Sequence, residues 1–419
     1  MSMTLIFALL GGLLVLAFVA NRLFRRTRIP DAIVLMAMGL LLGPLMGWLT
    51  SSEFQPVIQA FGTLAVILIL FEAGLDLDLH DTLRHFPGSI LLSFLAYVLT
   101  FGLVSLVARW SLGLSTLDAL LIGAALACTS SSITVPVLQQ MEVEQPARIT
   151  LLLEASISDA FAVLTVGVLL DLGSSPKSIL TNFALRILFN ITVSLVLAVI
   201  AAAIWSYLLP KLSEQRFWQV LTFAIVLLLY AGVERLHANG LIAVLGFGLA
   251  LANFRRVDRH LLESSLGMQI LAEEHHSRMV SFHSELAFLV RSFFFVLIGI
   301  IVKFGRMAQH LPATLGIAGA IALGRYLAIL PSRGSWKGFL PLERELVFWI
   351  MPRGLITIVL ALQIVRARGD ELAFLPGLAF GVILATNILV VIGTIRARRL
   401  PTHHAPAEPS AAVELKDVT

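Results

Sequence analysis

Residues 152–164 read LLEASISDAFAVL and place two carboxylates, Glu154 and Asp159, inside a segment that otherwise has the composition of a buried apolar helix. Apolar sequence flanks Asp159 on both sides over 149–170. In a bilayer a carboxylate at that depth must be paired, hydrated or neutralised by a proton. The charged form demands a positive partner, and H⁺ and a metal cation meet that demand equally. Glu154 lies five positions earlier. At about 100° per residue the two side chains diverge by roughly 140° around a helix, so they form no single ligand pair and each needs its own surroundings. Glu154 reads as the partner of a cation that braces the helix. Ser156, one turn before Asp159, and Ser158, beside it, add hydroxyl oxygens that can coordinate an ion or bond the backbone.

The rest of the chain says that this segment lies in a membrane. Of 419 residues 58% are hydrophobic and only 13% charged, against roughly 25% charged in a soluble domain. The mean hydropathy is +0.92. Thirteen apolar runs recur, at 3–20, 31–49, 57–75, 87–108, 116–138, 149–170, 183–208, 217–233, 239–253, 285–302, 311–330, 345–365 and 374–395. One such run can be a core helix, but this number cannot share one soluble core. The runs are continuous rather than alternating, which argues against a β-barrel. The expectation is an all-α polytopic membrane protein. The runs at 217–233 and 239–253 are short, and one of them is a candidate re-entrant segment. The single cysteine, Cys128, excludes an intrachain disulfide and a multi-cysteine metal cluster.

Charge sets the expected orientation. Arg22, Arg25, Arg26 and Arg28 mark the first loop as cytoplasmic and put the N-terminus outside. Alternating from there places Lys211, Arg216, Arg255, Arg256, Arg259, Arg278, Arg333, Lys337, Arg344, Arg396, Arg398 and Arg399 on the same side, with the C-terminus inside. The net charge of +4 therefore reflects membrane-flanking loops and not nucleic-acid binding. Residues 1–20 read as a retained first span, so 1–30 form an extra helix and a basic loop, 31–400 the membrane domain, and 401–419 a disordered cytoplasmic tail. Gly39, Gly43 and Gly47 repeat every four residues, a stripe for close helix packing.

Three further polar intrusions face the argument that applies to Asp159. Residues 127–136 read ACTSSSITVP, with four consecutive hydroxyl residues, Thr129, Ser130, Ser131 and Ser132, followed by Pro136. Poor helix formers and a missing backbone donor together predict a discontinuous helix, whose unwound carbonyls and half-helix ends face an ion at mid-membrane. Arg325 interrupts an apolar run over 316–330, and Arg353 lies in WIMPRGLIT over 349–357, where Pro-Arg-Gly predicts a second break. A guanidinium there neutralises a carboxylate or a half-helix dipole. Arg291 falls too near a membrane face for a similar reading. The two breaks lie in the fifth and twelfth spans, a spacing that suits two six-span repeats after an extra first helix.

These residues resemble the monovalent cation:proton antiporter superfamily, over roughly residues 10–396. The phrases that carry the resemblance are FEAGL at 71–75, EASISD at 154–159, MPRG at 351–354 and FFFVLIGI at 293–300. The resemblance implies inverted six-helix repeats with crossed discontinuous helices. It implies exchange of Na⁺ or K⁺ for H⁺ across the inner membrane, with 87–170 and 311–395 as the core that moves against a dimerising scaffold. Asp159 would bind the cation and the proton. Glu154 would be the structural acid, paired to Arg325 or Arg353. Ser158 stands where the family has Asn or Asp. Thr129 fits the family's fifth-span Thr-Asp-Pro, but Ser130 and Ser131 replace Asp and Pro, a Ser-rich pattern closer to potassium exporters. The implied site is Asp159, Ser158, Ser156, Thr129 and Ser130 with water, working as a secondary transporter with no cofactor.

With one central acid rather than two, alternating occupancy is one for one and exchange is electroneutral. A gated monovalent cation channel and a non-transporting membrane sensor use the same residues. Flux without proton coupling marks the first, and binding without flux the second. Glu273, Glu274, His275 and His276 form a loop cluster that invites a pH-sensing role, although a solvated loop accounts for them equally well.

Overall fold

The computed structural model describes residues 11–20, 22, 30–46, 51–76, 79–139, 141, 143–174, 179–212, 215, 217–236, 238–261, 266–301, 309–332, 339–397 and 399–400. Among these it describes all side chains but those of 51–59, 76, 79–88, 139, 171–174, 179–188, 210, 254–261, 266–277, 301, 332 and 370. Gly47, the 401–419 tail and the side chains of Glu273, Glu274, His275 and His276 lie outside this set.

Every regular element among the described residues is a helix. The reason is the solvent. Lipid offers no hydrogen bonds, so an apolar segment must satisfy its own backbone, and an α-helix does so within one segment. In chain order the helices are α1 Gly11–Ala20, α2 Asp31–Leu40, α3 Ser51–Asp76, α4 Leu79–Leu112, α5 Thr116–Ala127, α6 Ser131–Gln139, α7 Gln145–Ser174 and α8 Ile179–Leu212. They continue as α9 Trp218–Arg235, α10 Gly240–Leu261, α11 Leu266–Ile301, α12 Leu311–Ser332, α13 Pro341–Trp349, α14 Leu355–Arg368 and α15 Leu375–Ala397. The short runs expected at 217–233 and 239–253 are both continuous helices, α9 and α10, of 18 and 22 residues. Their polar ends made the apolar runs look shorter than the helices that carry them.

Two packing groups divide the helices. In one, α3 packs on α10 and α11, α11 packs on α2, and α10 packs on α8 and α9. In the other, α4 packs along α12, α5 and α7, while α15 packs on α12, α13 and α14. The groups touch where α14 and α6 meet α3. The glycine stripe works inside the first group. A Cβ on Gly39 would lie 2.8 Å from the Gly299 Cα, and one on Gly43 2.7 Å from the Ile300 Cα, so α2 and α11 approach backbone to backbone. Near the middle of the second group, a Cβ on Gly324 would meet Thr100 Oγ1 at 2.6 Å, which fixes the close crossing of α12 over α4.

Both expected breaks are present. The first separates α5 from α6: Cys128 is extended (φ −74, ψ 143) and Thr129 and Ser130 are irregular. The second separates α13 from α14 across 350–354. The Ser130 N–H donates to the Pro352 carbonyl at 2.8 Å, so the two unwound segments cross and bond to each other. Pro136 is not at the first break. It lies inside α6, because proline removes only one donor and the irregular stretch 128–130 has already interrupted the ladder.

Candidate functional site

The crossing sets four half-helix ends against one another near the centre of the second packing group. A helix N-terminus carries partial positive charge and a C-terminus partial negative charge. The side chains around the crossing match those signs. Asp159, only 1% exposed, faces the start of α6. Its Oδ2 accepts hydrogen bonds from the Ser131 hydroxyl at 2.8 Å and the Ser131 N–H at 3.3 Å. Its Oδ1 accepts none from the described residues. The carboxylate is thus held by one oxygen and offers the other.

The arginines take the opposite ends. Arg353 caps α5: its Nε donates to the Leu126 carbonyl at 2.6 Å and its Nη2 to the Ala127 carbonyl at 3.1 Å. Arg325 caps α13 through the carbonyls of Val347, at 2.8 Å, and Ile350, at 3.0 Å. Arg325 Nη1 also lies 2.9 Å from Glu154 Oε1 in a fully buried ion pair. Of the two arginines that sequence left open as partners of Glu154, Arg325 is the one in contact. Arg353 spends its donors on carbonyls, including its own near neighbour Met351 at 3.1 Å.

The hydroxyls of the expected site are arranged differently from the sequence expectation. Thr129 Oγ1 donates to Glu154 Oε1 at 2.9 Å, and Ser130 Oγ bonds Ser132 Oγ at 2.8 Å. Ser158 Oγ accepts from the Thr129 N–H at 3.0 Å and donates to the Ala155 carbonyl at 3.0 Å. Ser156 is buried on α7, three positions before Asp159. Ser131, not Thr129 or Ser130, bonds Asp159. It is the first residue of α6, and the first turn of a helix presents its free N–H groups outward along the axis. The visible signal was the position after the break, which sequence could locate only to within a few residues.

The second break carries a polar pair that sequence reading passed over. Thr386 Oγ1 accepts from the Arg353 N–H at 3.1 Å, and Asn387 Nδ2 donates to the Arg353 carbonyl at 3.0 Å. Ser158 and Asp159 of α7 hold the first break by the same kind of adjacent pair. The signal was Thr-Asn inside the apolar run ILATNILVV at 383–391. The outer ends of the half-helices are also fastened. Arg368, ending α14, bonds Asp118 at the start of α5 at 2.8 Å. Glu343, at the start of α13, accepts from the N–H of Glu144 at 2.8 Å and of Leu340 at 2.8 Å.

A cavity of about 340 Å³ opens between the two packing groups and reaches Ser131 and Ser132. Glu72, Ser284, Glu285 and Arg291 also line it. Arg291, set aside in sequence as a near-surface residue, is mostly buried here. Its side chain is 14% exposed because α2 supplies Asp31 as a counter-ion at 3.2 Å.

Comparison with known proteins agrees with this geometry. Residues 13–396 match the family model described as "Sodium/hydrogen exchanger, transmembrane". The chain belongs to that family, and with it to the secondary transporters that exchange a monovalent cation for H⁺ across a membrane. It is a multi-pass membrane protein. It is 26% identical over 370 residues to the K(+)/H(+) antiporter NhaP of Alkalimonas amylolytica, matching 86% of this chain but 60% of that longer protein. It is 23% identical over 380 residues to Na(+)/H(+) antiporter 1 of Methanocaldococcus jannaschii, covering 87% of this chain and 84% of that one. The solved structure of the sodium proton antiporter MjNhaP1 from Methanocaldococcus jannaschii at pH 8 superposes with a TM-score of 0.73 at 20% identity. That superposition covers 95% of this chain and 97% of the other, and shows that the two share an all-α polytopic fold with crossed discontinuous helices.

Proposed function

We propose that this chain exchanges one Na⁺ or K⁺ for one H⁺ per cycle, electroneutrally, at Asp159. The observation that carries the reading is the buried carboxylate at the first break, bonded through Oδ2 to Ser131 and offering Oδ1. A hard cation needs several oxygens. Asp159, Ser131, Ser156, Ser158 and the unwound backbone around Thr129 and Ser130 supply them, with water completing the shell. The neighbouring position is Ser158 and not a second acid, so no second proton has a carrier beside Asp159. Glu154 is neutralised by Arg325 and takes no part in the exchange.

The core that moves is 87–170 with 311–395, and it slides against the group containing α2, α3 and α8–α11. Two copies associate through the latter group, whose α8 presents Phe189, Val196, Val199, Ile200 and Ile204 outward. With the N-terminus outside and the C-terminus in the cytoplasm, α3 ends on the cytoplasmic side. The cavity at Glu72 then opens inward. Relatives are named for K⁺ and for Na⁺, and the Ser-rich first break is compatible with either.

The test is cation-driven dissipation of a pH gradient in proteoliposomes. Na⁺, K⁺, Li⁺ and Rb⁺ are run separately, each beside Asp159→Asn. Exchange with one or two ions, lost in the variant and insensitive to a clamped voltage, is expected. Voltage-generating turnover would overturn the stoichiometry. Exchange that survives in folded Asp159→Asn would overturn the site.

A further inference from the structure

Pro136 and Arg291 answer each other across the boundary between the two packing groups. In an α-helix the carbonyl of residue 132 accepts the N–H of residue 136. Position 136 is proline and has no N–H, so α6 leaves the Ser132 carbonyl without its helical donor. A buried backbone carbonyl without a donor is destabilising, and native structures find it a partner. Arg291, on α11 of the opposite group, is that partner: its Nη1 donates to the Ser132 carbonyl at 2.8 Å. Its Nη2 donates to Asp31 Oδ2 at 3.2 Å, so α2 neutralises the guanidinium while α6 engages it. Asp31 is itself 4% exposed and accepts the Ala32 N–H at 2.9 Å, which anchors it at the start of α2.

The bond lands one residue from Ser131, which holds Asp159. Arg291, Ser131, Ser132 and Pro136 all line the same cavity. This dock exists only while α6 stands opposite α11 at this height. A core that slides relative to α2 and α11 must release it.

We propose that Arg291, neutralised by Asp31 and docked on the carbonyl that Pro136 leaves free, is a positioning residue for the exchange. It holds α6 against the scaffold in the cavity-open state and so sets how much of the protein receives a cation from that side. The inference rests on the reading of Asp159 as the exchange site. A ligand's apparent affinity falls with the fraction of protein in the competent state. Weakening the dock therefore raises KM for a cation offered on the cavity side and does not raise it on the other.

The decisive variant is Pro136→Ala, which returns an N–H to α6, gives the Ser132 carbonyl a helical donor and changes no charge. Sided transport in oriented proteoliposomes reads KM and maximal rate for Na⁺ and K⁺ from each face. We expect Pro136→Ala and Arg291→Lys each to raise KM on the cavity side roughly fivefold, with no rise on the opposite side. The double variant should be no worse than the stronger single one, because both changes act on the same bond, one by a competing donor and one by removing the guanidinium. A KM unchanged on both faces of Pro136→Ala, or raised equally on both, or effects that multiply in the double variant, would overturn the proposal. The doubly neutral Asp31→Asn with Arg291→Gln removes both charges together and gives the same reading if Arg291→Lys folds poorly. Asp159→Asn run in parallel separates the two claims. If it still exchanges, the site assignment has failed, whatever the dock does.

Discussion

The two broken helices are built alike and filled with opposite chemistry. At each break a half-helix ends, an irregular stretch crosses its counterpart, and an adjacent polar pair on a neighbouring helix holds the backbone. On α7 the pair is Ser158 and Asp159. On α15 it is Thr386 and Asn387. The first pair presents a carboxylate with one oxygen free, and the second presents an amide whose Nδ2 is spent on the carbonyls of Arg353 and Ile383. The first break carries an ionisable carboxylate, while the second has a permanent cation, Arg353, and a neutral brace. The lesson is that one backbone geometry can occur twice in a fold while an ionisable acid is placed at only one of the two crossings.

That contrast can be broken most severely at Arg325, which caps α13 at the second break and pairs with Glu154. Removing the guanidinium in Arg325→Ala leaves Glu154 buried without its counter-charge and two α13 carbonyls without donors. The expected loss is about 3–5 kcal/mol, the range for breaking a buried ion pair from one side. It should appear as a large fall in melting temperature of the detergent-solubilised protein. Pairing it with Glu154→Gln should recover part of the loss, and a double variant as unstable as the single one would deny the pairing its role.

A smaller effect is expected at the brace of the second break. Asn387→Leu removes both amide donors and leaves the Arg353 carbonyl unpartnered, which costs about 1–3 kcal/mol. Since Asn387 carries no charge, the ion preference of the surviving protein should match the parent's. A changed order among Na⁺, K⁺ and Li⁺ would show that the second break shares in binding the ion.

The smallest effect belongs to the pair that fastens the half-helix ends. Arg368 is 29% exposed and Asp118 5%, so Asp118→Asn should cost no more than about 1 kcal/mol. The difference from the parent should shrink in melting curves taken at high salt. Exchange at saturating cation should persist, because neither group touches Asp159 or Ser131.

Much of this architecture was readable in the sequence, for a reason that the membrane supplies. Lipid removes the choice between strand and helix, so each apolar run names its own element, and α5 with α6 fills the expected 116–138. The same cost of burial made Asp159, Glu154, Arg325 and Arg353 stand out. Pro-Arg-Gly and the hydroxyl run located both breaks to within a few residues. Reading failed where the answer depended on which helix lies opposite. Ser131 was passed over for Thr129 and Ser130 because the start of α6, and hence the outward N–H, could not be fixed to a single residue. Arg291 looked like a surface cation because its partner, Asp31, is 260 positions away in sequence. Pro136 was read, with the hydroxyl run, as contributing to the break, whereas it lies inside α6 and frees a carbonyl for another helix.

The sequence by itself determined that this is a many-span helical membrane protein with two interrupted helices and an ionisable group at mid-depth. Those conclusions follow from the free energy of transferring residues into lipid, which is a property of each segment alone. The tertiary structure alone decided that Arg325 rather than Arg353 meets Glu154, that Ser131 holds Asp159, and that Arg291 reaches across to Ser132. Both arginines are equally costly in lipid, and only the crossing of α12 behind the end of α13 brings one of them within 2.9 Å of the acid.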